Sequence, residues 1–243
     1  MSGATRARTS QAPSAHAQRM PWPARLAGAA LLVACAPATP APRANTAPLP
    51  IASDAAAESL LVDVQALEPS IRVRARYAGR DNFTGAPLPG YEADRALLRR
   101  EAATALARVQ RRLAADGLGL LVWDGYRPVR ATLAMVRWTE ETGRASLVRD
   151  GYIASRSRHN LGLAVDLTLV TLATGAELDM GTPFDTFDAA AHTANAAGTV
   201  RVNRTRLVRA MEAEGFRNYD QEWWHFSYDV PDARPFDRPI VPR

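Results

Sequence analysis

Between residues 91 and 115 apolar side chains return every three or four positions, at Leu98, Ala102, Leu106, Val109 and Leu113, and Gly117 follows. That period lines them along one stripe, so the pattern predicts a long amphipathic helix from Tyr91 to Ala115. Leu118 to Trp123 is a short unbroken apolar run ending at Asp124-Gly125, which predicts a buried strand and a turn. Pro128 suits the first turn of a second helix reaching about Gly143. Leu161 to Val170 alternates, and Ala173-Thr-Gly-Ala176 can turn the chain back along Glu177-Leu-Asp-Met180, which predicts a hairpin. A third helix is expected from Asn203, as N-cap, to Gly215, followed by a strand from Trp223 to Val230. Strands and helices do not alternate strictly, so the expected class is α+β: a single domain with helices packed on a largely antiparallel sheet.

The beginning of the chain has a different texture. Arg19 and Arg25 precede the apolar run from Leu26 to Ala34, which ends at Cys35 and gives way to Pro and Ala. The run is too short to span a bilayer, and a basic flank, a short apolar stretch and small residues at the cut point make a secretory signal peptide. Leu32-Val33-Ala34-Cys35 resembles the lipobox of bacterial lipoproteins, in which the cysteine carries the lipid; an ordinary signal peptide and a buried structural cysteine are the alternatives. Met20 serves equally well as the start of such a signal. The expected organisation is a lipoprotein signal over 1–35, a Pro/Ala-rich tether over 36–58 and one folded domain over 59–243, exported to the periplasm or cell envelope and held at the membrane by the lipid.

Charge narrows the partners. The formal net charge is +5, but Arg6, Arg8, Arg19 and Arg25 fall in the first 34 residues, which hold no acid. Removing those four from 30 cations leaves 26 against 25 anions, so the rest of the chain is near neutral and carries no footprint for nucleic acid. Its clustered arginines read as solvated helix faces. One cysteine excludes a disulfide framework and any multi-cysteine metal site, so a metal here needs His and carboxylate ligands.

Two segments supply such ligands. In Ser155-Arg-Ser-Arg-His159-Asn-Leu-Gly162-Leu-Ala-Val-Asp166, a carboxylate sits inside an apolar run, where a charge costs several kcal/mol unless paired or metal-bound. Glu222-Trp-Trp-His225 again sets a carboxylate and an imidazole among bulky apolar groups. His159, Asp166 and His225 make a catalytic zinc set with one position open to water, and Glu222 is the base that takes the water's proton. An aromatic wall raises the Glu222 pKa, while the metal's charge pulls it down. Residues three apart in a regular strand face opposite sides, so Glu222 is expected in a bend or loop before the strand.

At these residues the sequence resembles the D-Ala-D-Ala dipeptidases of the VanX type, relatives of the D,D-carboxypeptidases and the hedgehog domain. The likeness runs from about Tyr77 to Tyr228, through Tyr77-Ala, Asp81-Asn-Phe-Thr-Gly85, Gly90-Tyr-Glu92, Leu121-Val-Trp-Asp-Gly-Tyr-Arg-Pro128, Ser157-x-His159, Ala164-Val-Asp-Leu-Thr-Leu169 and Glu222-Trp-Trp-His225. It implies a hedgehog/D,D-peptidase-like fold, one Zn2+ per chain on His159, Asp166 and His225, Glu222 as catalytic base, and D-Ala-D-Ala as substrate. It further implies Arg127 as the cation that stabilises the oxyanion, Ser157 as a substrate-binding serine and Asp185 as the acid toward the substrate's amine. A salt bridge at a strand end is the plain alternative for Arg127, and a helix N-cap for Asp185. Tyr77 and Phe83 line the pocket or belong to the core, and His192 reads as structural or exposed.

The segment between Arg127 and His159 is shorter than in the resistance enzymes, and those are typically cytoplasmic, so wall turnover or dipeptide salvage fits an exported chain better than glycopeptide resistance. A D,D-carboxypeptidase or wall endopeptidase with the same metal, and a non-catalytic wall-binding lipoprotein with structural zinc, are the competing functions. Oligomeric state has no signature in the sequence.

Overall fold

The computed structural model describes residues 50–243. The expected signal segment, Cys35 and most of the expected tether lie outside them.

The folded part begins earlier than the expected boundary at Ser59. The Ser53 hydroxyl accepts from the Ala56 amide and caps α1 (Asp54–Leu60), and Ala57 is small enough to be buried completely. The Ala52 amide donates to the Pro235 carbonyl, tying the start of the domain to its C-terminal segment. β1 (Leu61–Asp63) follows, then α2 (Val64–Leu67), capped by Asp63, and the two-residue β2 (Arg72–Val73).

The first predicted helix is shorter than its period suggested. Leu97–Arg99 forms β3, antiparallel to β1, and only Arg100–Ala114 is helical, as α3. Leu98 fits the stripe by spacing, yet it is buried from a strand. β4 (Leu118–Asp124) is buried along its whole length, and α4 (Val129–Glu141) starts directly after Pro128. The short α5 (Ser146–Arg149) leads toward β5 (Ala164–Thr171).

The expected hairpin after β5 is present but short: the Thr171 amide donates to the Ala176 carbonyl and the Leu178 amide to the Leu169 carbonyl, on either side of the antiparallel Val170–Glu177 bridge. Asp179 accepts from the Gly181 amide in a turn that leads the chain away, and Arg204 takes the Met180 carbonyl. α6 (Gly198–Glu212) starts more than a turn before the predicted cap. Asn203 lies inside that helix, buried, with its side-chain amide donating to the Asp179 carbonyl 2.9 Å away, so it braces tertiary structure rather than capping. β6 (Arg217–Tyr219) and β7 (Glu222–Ser227) close the domain as a hairpin.

The main sheet runs β2-β4-β5-β7-β6, and every neighbouring pair is antiparallel except the short β2 with β4. The α+β expectation therefore stands. One core joins α3 and α6 to this sheet through Leu106, Val109, Leu207, Met211, Leu120 and Leu167, each worth about 1.5–3 kcal/mol of burial. A second core gathers Ala131 and Met135 of α4 with Tyr77, Tyr91, Tyr126 and Phe236.

Candidate active site

The site begins with strand register. β5 pairs Asp166 with His225 of β7 on one side and with Asp124 of β4 on the other, and residues directly opposite share a face. On the β4 side this depends on a bulge: Val122 pairs with Leu167, but Asp124, not Trp123, pairs with Asp166. The extra residue turns Asp124 onto the face of Asp166, because a one-residue slip exchanges the two faces of a strand.

His159 enters from a 3-10 turn, Arg158–Leu161. Ser157 caps it, its hydroxyl accepting from the His159 amide at 3.2 Å, while Asn160 Oδ1 accepts from the Ser157 amide. The Asn160 side chain also donates to the Arg127 carbonyl and to Thr132, both at 2.9 Å. Gly162 ends the turn at φ +66°, with no room for a Cβ beside Leu61. The His159 Nδ1–H donates to the Gly125 carbonyl at 2.7 Å, which turns Nε2 toward Asp166 and His225.

The three candidate ligand atoms then form a small triangle. His159 Nε2 lies 3.2 Å from His225 Nδ1 and 3.3 Å from an Asp166 oxygen, and His225 Nδ1 lies 2.9 Å from the other Asp166 oxygen. A tetrahedral ion with ligands at 2.0–2.1 Å sets its ligand atoms about 3.3 Å apart, so the triangle has the dimensions of one tetrahedral face. Among the described residues this is the group of acids, histidines and cysteines arranged to hold a metal. Burial favours a neutral Asp166, but the adjoining imidazoles outweigh it and hold the carboxyl well below the ordinary range.

Glu222 is the first residue of β7, not in a loop before it. The sequence-based objection to two residues three apart is met differently: β6 and β7 lose regular register between the Asn218–Phe226 and Tyr219–Glu222 pairs. Across that irregularity a Glu222 oxygen lies 3.7 Å from His225 Nδ1. Burial and the charge of Asp166 push the Glu222 carboxyl up to about 8.

Arg127 is buried and directs Nε and Nη2 at one oxygen of Asp124, at 3.0 and 2.8 Å, with Asp166 3.8 Å away. Its guanidinium lies over the Tyr77 ring, 5.0 Å from the centroid. The salt bridge, the plain alternative for Arg127, is thus present, and it faces the triangle of candidate ligand atoms. Asp185 adopts φ 59°, a left-handed conformation few non-glycine residues take, and both its oxygens accept from the Tyr77 hydroxyl, at 3.0 and 3.1 Å. The helix-cap alternative fails, because the 3-10 turn that follows is capped by Asp188. Burial, then the charge of Asp166, holds the Asp185 carboxyl well above its ordinary value.

These groups surround a cavity of about 290 Å3, whose walls include Ser157, Asp166, Asp185, Glu222 and His225. Phe83 meets Phe187 and Trp138 edge-on, so it belongs to the apolar wall. His192 is engaged by the Tyr152 hydroxyl at 3.1 Å, outside the triangle. Sequence reasoning missed Asp124 and Tyr91. Asp124 read as a turn residue, whereas it ends β4 fully buried and accepts from the Tyr91 hydroxyl at 2.5 Å. The signal available was an acid adjoining an apolar run, the one that singled out Asp166.

The D-Ala-D-Ala dipeptidase model of the M15 peptidases matches residues 57–241. D-alanyl-D-alanine dipeptidases align at 42% identity over 171 residues from Enterococcus faecalis, covering 64% of this chain and 85% of that protein, and at 40% over 196 residues from Streptomyces coelicolor, covering 73% and 96%. The Escherichia coli dipeptidase is 33% identical over 178 residues, covering 72% of this chain and 87% of its own. With a bulge-aligned row of acids, two convergent imidazoles and a match over nearly all of the folded part, the chain belongs to the D-Ala-D-Ala dipeptidase family of M15 metallopeptidases.

Proposed function

We propose that this protein hydrolyses free D-Ala-D-Ala to two molecules of D-alanine, using one zinc ion per chain held by His159, Asp166 and His225. The observation that carries the reading is the triangle of ligand atoms, with edges of 2.9–3.3 Å. Two nitrogens and one oxygen suit zinc, and three protein ligands leave a position open. When bound, zinc supplies a Lewis acid that polarises the scissile carbonyl and acidifies water.

The remaining roles follow from the chain. Glu222, a carboxyl made more basic by burial and by the charge of Asp166, accepts a proton from the attacking water and returns it to the leaving amine. Arg127 turns a cation toward the point where negative charge develops on the carbonyl oxygen. Asp185, braced by Tyr77, receives the substrate ammonium. Ser157 lines the cavity near His159 and offers its hydroxyl hydrogen to the substrate while its oxygen serves the His159 amide.

A small cavity with a carboxylate for the free amine favours a dipeptide over the longer peptides of a carboxypeptidase or endopeptidase. The test compares D-Ala-D-Ala with N-acetyl-D-Ala-D-Ala before chelation, after it, and after zinc is restored. Zinc-dependent hydrolysis of the free dipeptide with loss on acetylation is expected; preference for the acetylated substrate overturns the reading. An exported, Cys35-lipidated enzyme of wall turnover or dipeptide salvage completes the proposal; its support is the sequence from Arg19 to Cys35. Fatty-acid labelling of the wild type that disappears in Cys35→Ala checks it.

A further inference from the structure

No step above uses Asp124, yet this acid is completely buried and each of its contacts leads into the site. One oxygen accepts from the Tyr91 hydroxyl at 2.5 Å. The other takes both Nε and Nη2 of Arg127, and His159 Nδ1 lies 3.4 Å from it. We propose that Asp124 is a positioning residue that fixes the Arg127 guanidinium and the His159 imidazole together, with Tyr91 as the brace that holds Asp124 in place.

Arginine is long and rotamer-rich, so a useful cation in a cavity has to be clamped. Asp124 clamps one edge of the guanidinium, and Nη1 meets the Met135 sulfur at 3.3 Å, a weak acceptor. That donor keeps its capacity for a substrate oxygen. On the other side, an acid beside Nδ1 favours the tautomer with its proton there, reinforcing the bond to the Gly125 carbonyl and leaving the Nε2 lone pair for the metal. The bulge at Trp123 matters for the same reason, since without it Asp124 would face away from Asp166 and both partners. Tyr91 is itself buried and packs edge-on against Tyr77, so its hydroxyl has little freedom to leave Asp124.

The inference rests on the roles proposed for His159 and Arg127. Its test measures zinc affinity, by competition with a chromogenic chelator, and kcat and KM on D-Ala-D-Ala for the full chain and for D124N, Y91F and the double variant. Outer partners of metal ligands typically matter about 10–100-fold, so D124N is expected to lose that much in zinc affinity and in kcat at saturating zinc, with KM within about threefold. The Tyr91 hydroxyl donates to Asp124, so Y91F is expected to lose several-fold in kcat and the double variant no more than D124N alone. D124N within about twofold of wild type in both zinc affinity and kcat overturns the proposal, as does a double variant whose losses multiply. Where D124N fails to fold, Y91F decides: full zinc affinity and full kcat there overturn the proposal. If wild type binds zinc but does not cleave D-Ala-D-Ala, the substrate assignment falls while the zinc affinities of the variants still decide this one.

Discussion

A Glu222 oxygen lies 3.7 Å from Nδ1 of His225, although the two residues are three apart in one strand. Regular pleating would send them to opposite faces, and the register irregularity between β6 and β7 brings them together. The pairing keeps the two proposed roles apart: His225 offers a candidate ligand atom at 2.9 Å from Asp166, while Glu222 stands beside the triangle without joining it.

Glu222→Gln should therefore keep zinc and lose turnover. General-base catalysis accounts for about 10^2–10^4 in rate, so kcat is expected to fall by that factor while zinc content measured by atomic absorption stays at one per chain. Substantial turnover in this variant would remove the base from the mechanism.

Asp185→Asn should abolish the preference for a free amine. The carboxyl is buried beside the negative Asp166, so its charged form lacks a counter-charge that an arriving ammonium supplies. Loss of a charged hydrogen bond costs about 2–5 kcal/mol, and kcat/KM on D-Ala-D-Ala is expected to drop accordingly while the N-acetylated substrate is little affected. Tyr77→Phe, which frees both Asp185 oxygens, should lie between wild type and Asp185→Asn.

How much of this could be read in the residues differs by feature. α3 announces itself through periodicity, α4 through Pro128 at its start, β4 through an unbroken apolar run, and the candidate metal ligand Asp166 through a charge where apolar neighbours make charge expensive. Asp124 escaped because its facing depends on a bulge, and register is a property of two strands, not of either sequence alone. The start of α6 escaped because Ala197 makes no side-chain cap, whereas Asn203, a good capping residue by type, spends its amide on Asp179. α1 escaped because a helix this short, in a Pro/Ala-rich neighbourhood, draws its stability from packing Ala57 into the domain.

Gly125→Ala should destabilise the domain at the site. A Cβ built there lies 2.6 Å from the Leu97 carbonyl oxygen, a backbone atom that cannot swing aside. Overpacking of this kind costs about 1–3 kcal/mol, read as a fall in Tm. Zinc affinity should fall as well, because the Gly125 carbonyl orients His159. A Tm equal to wild type would show that Leu97 yields at no cost.

Stability at low pH should depend on Asp63, which lies far from the cavity in sequence and caps α2. Its oxygens accept from the Gln65 amide at 2.9 Å, from Arg95 at 2.8 Å, and from Arg243 at the end of the chain. Burial alone would raise the carboxyl, but the two arginines and the amide outweigh it and hold it below its ordinary value. A carboxylate whose folded pKa is depressed stabilises the fold fully above its unfolded value of about 4 and loses that contribution as pH falls through the folded value. Asp63→Asn is uncharged at every pH, so the gap in Tm between wild type and this variant should be widest near pH 7 and shrink steadily below about pH 4. Arg243→Ala should reproduce only a small part of the gap, since that arginine is more than half exposed and water screens its charge. A gap that stays constant from pH 7 to about 3 would mean that Asp63 acts through its hydrogen bonds alone and that its ion pairs contribute nothing to holding β1 and the C-terminus together.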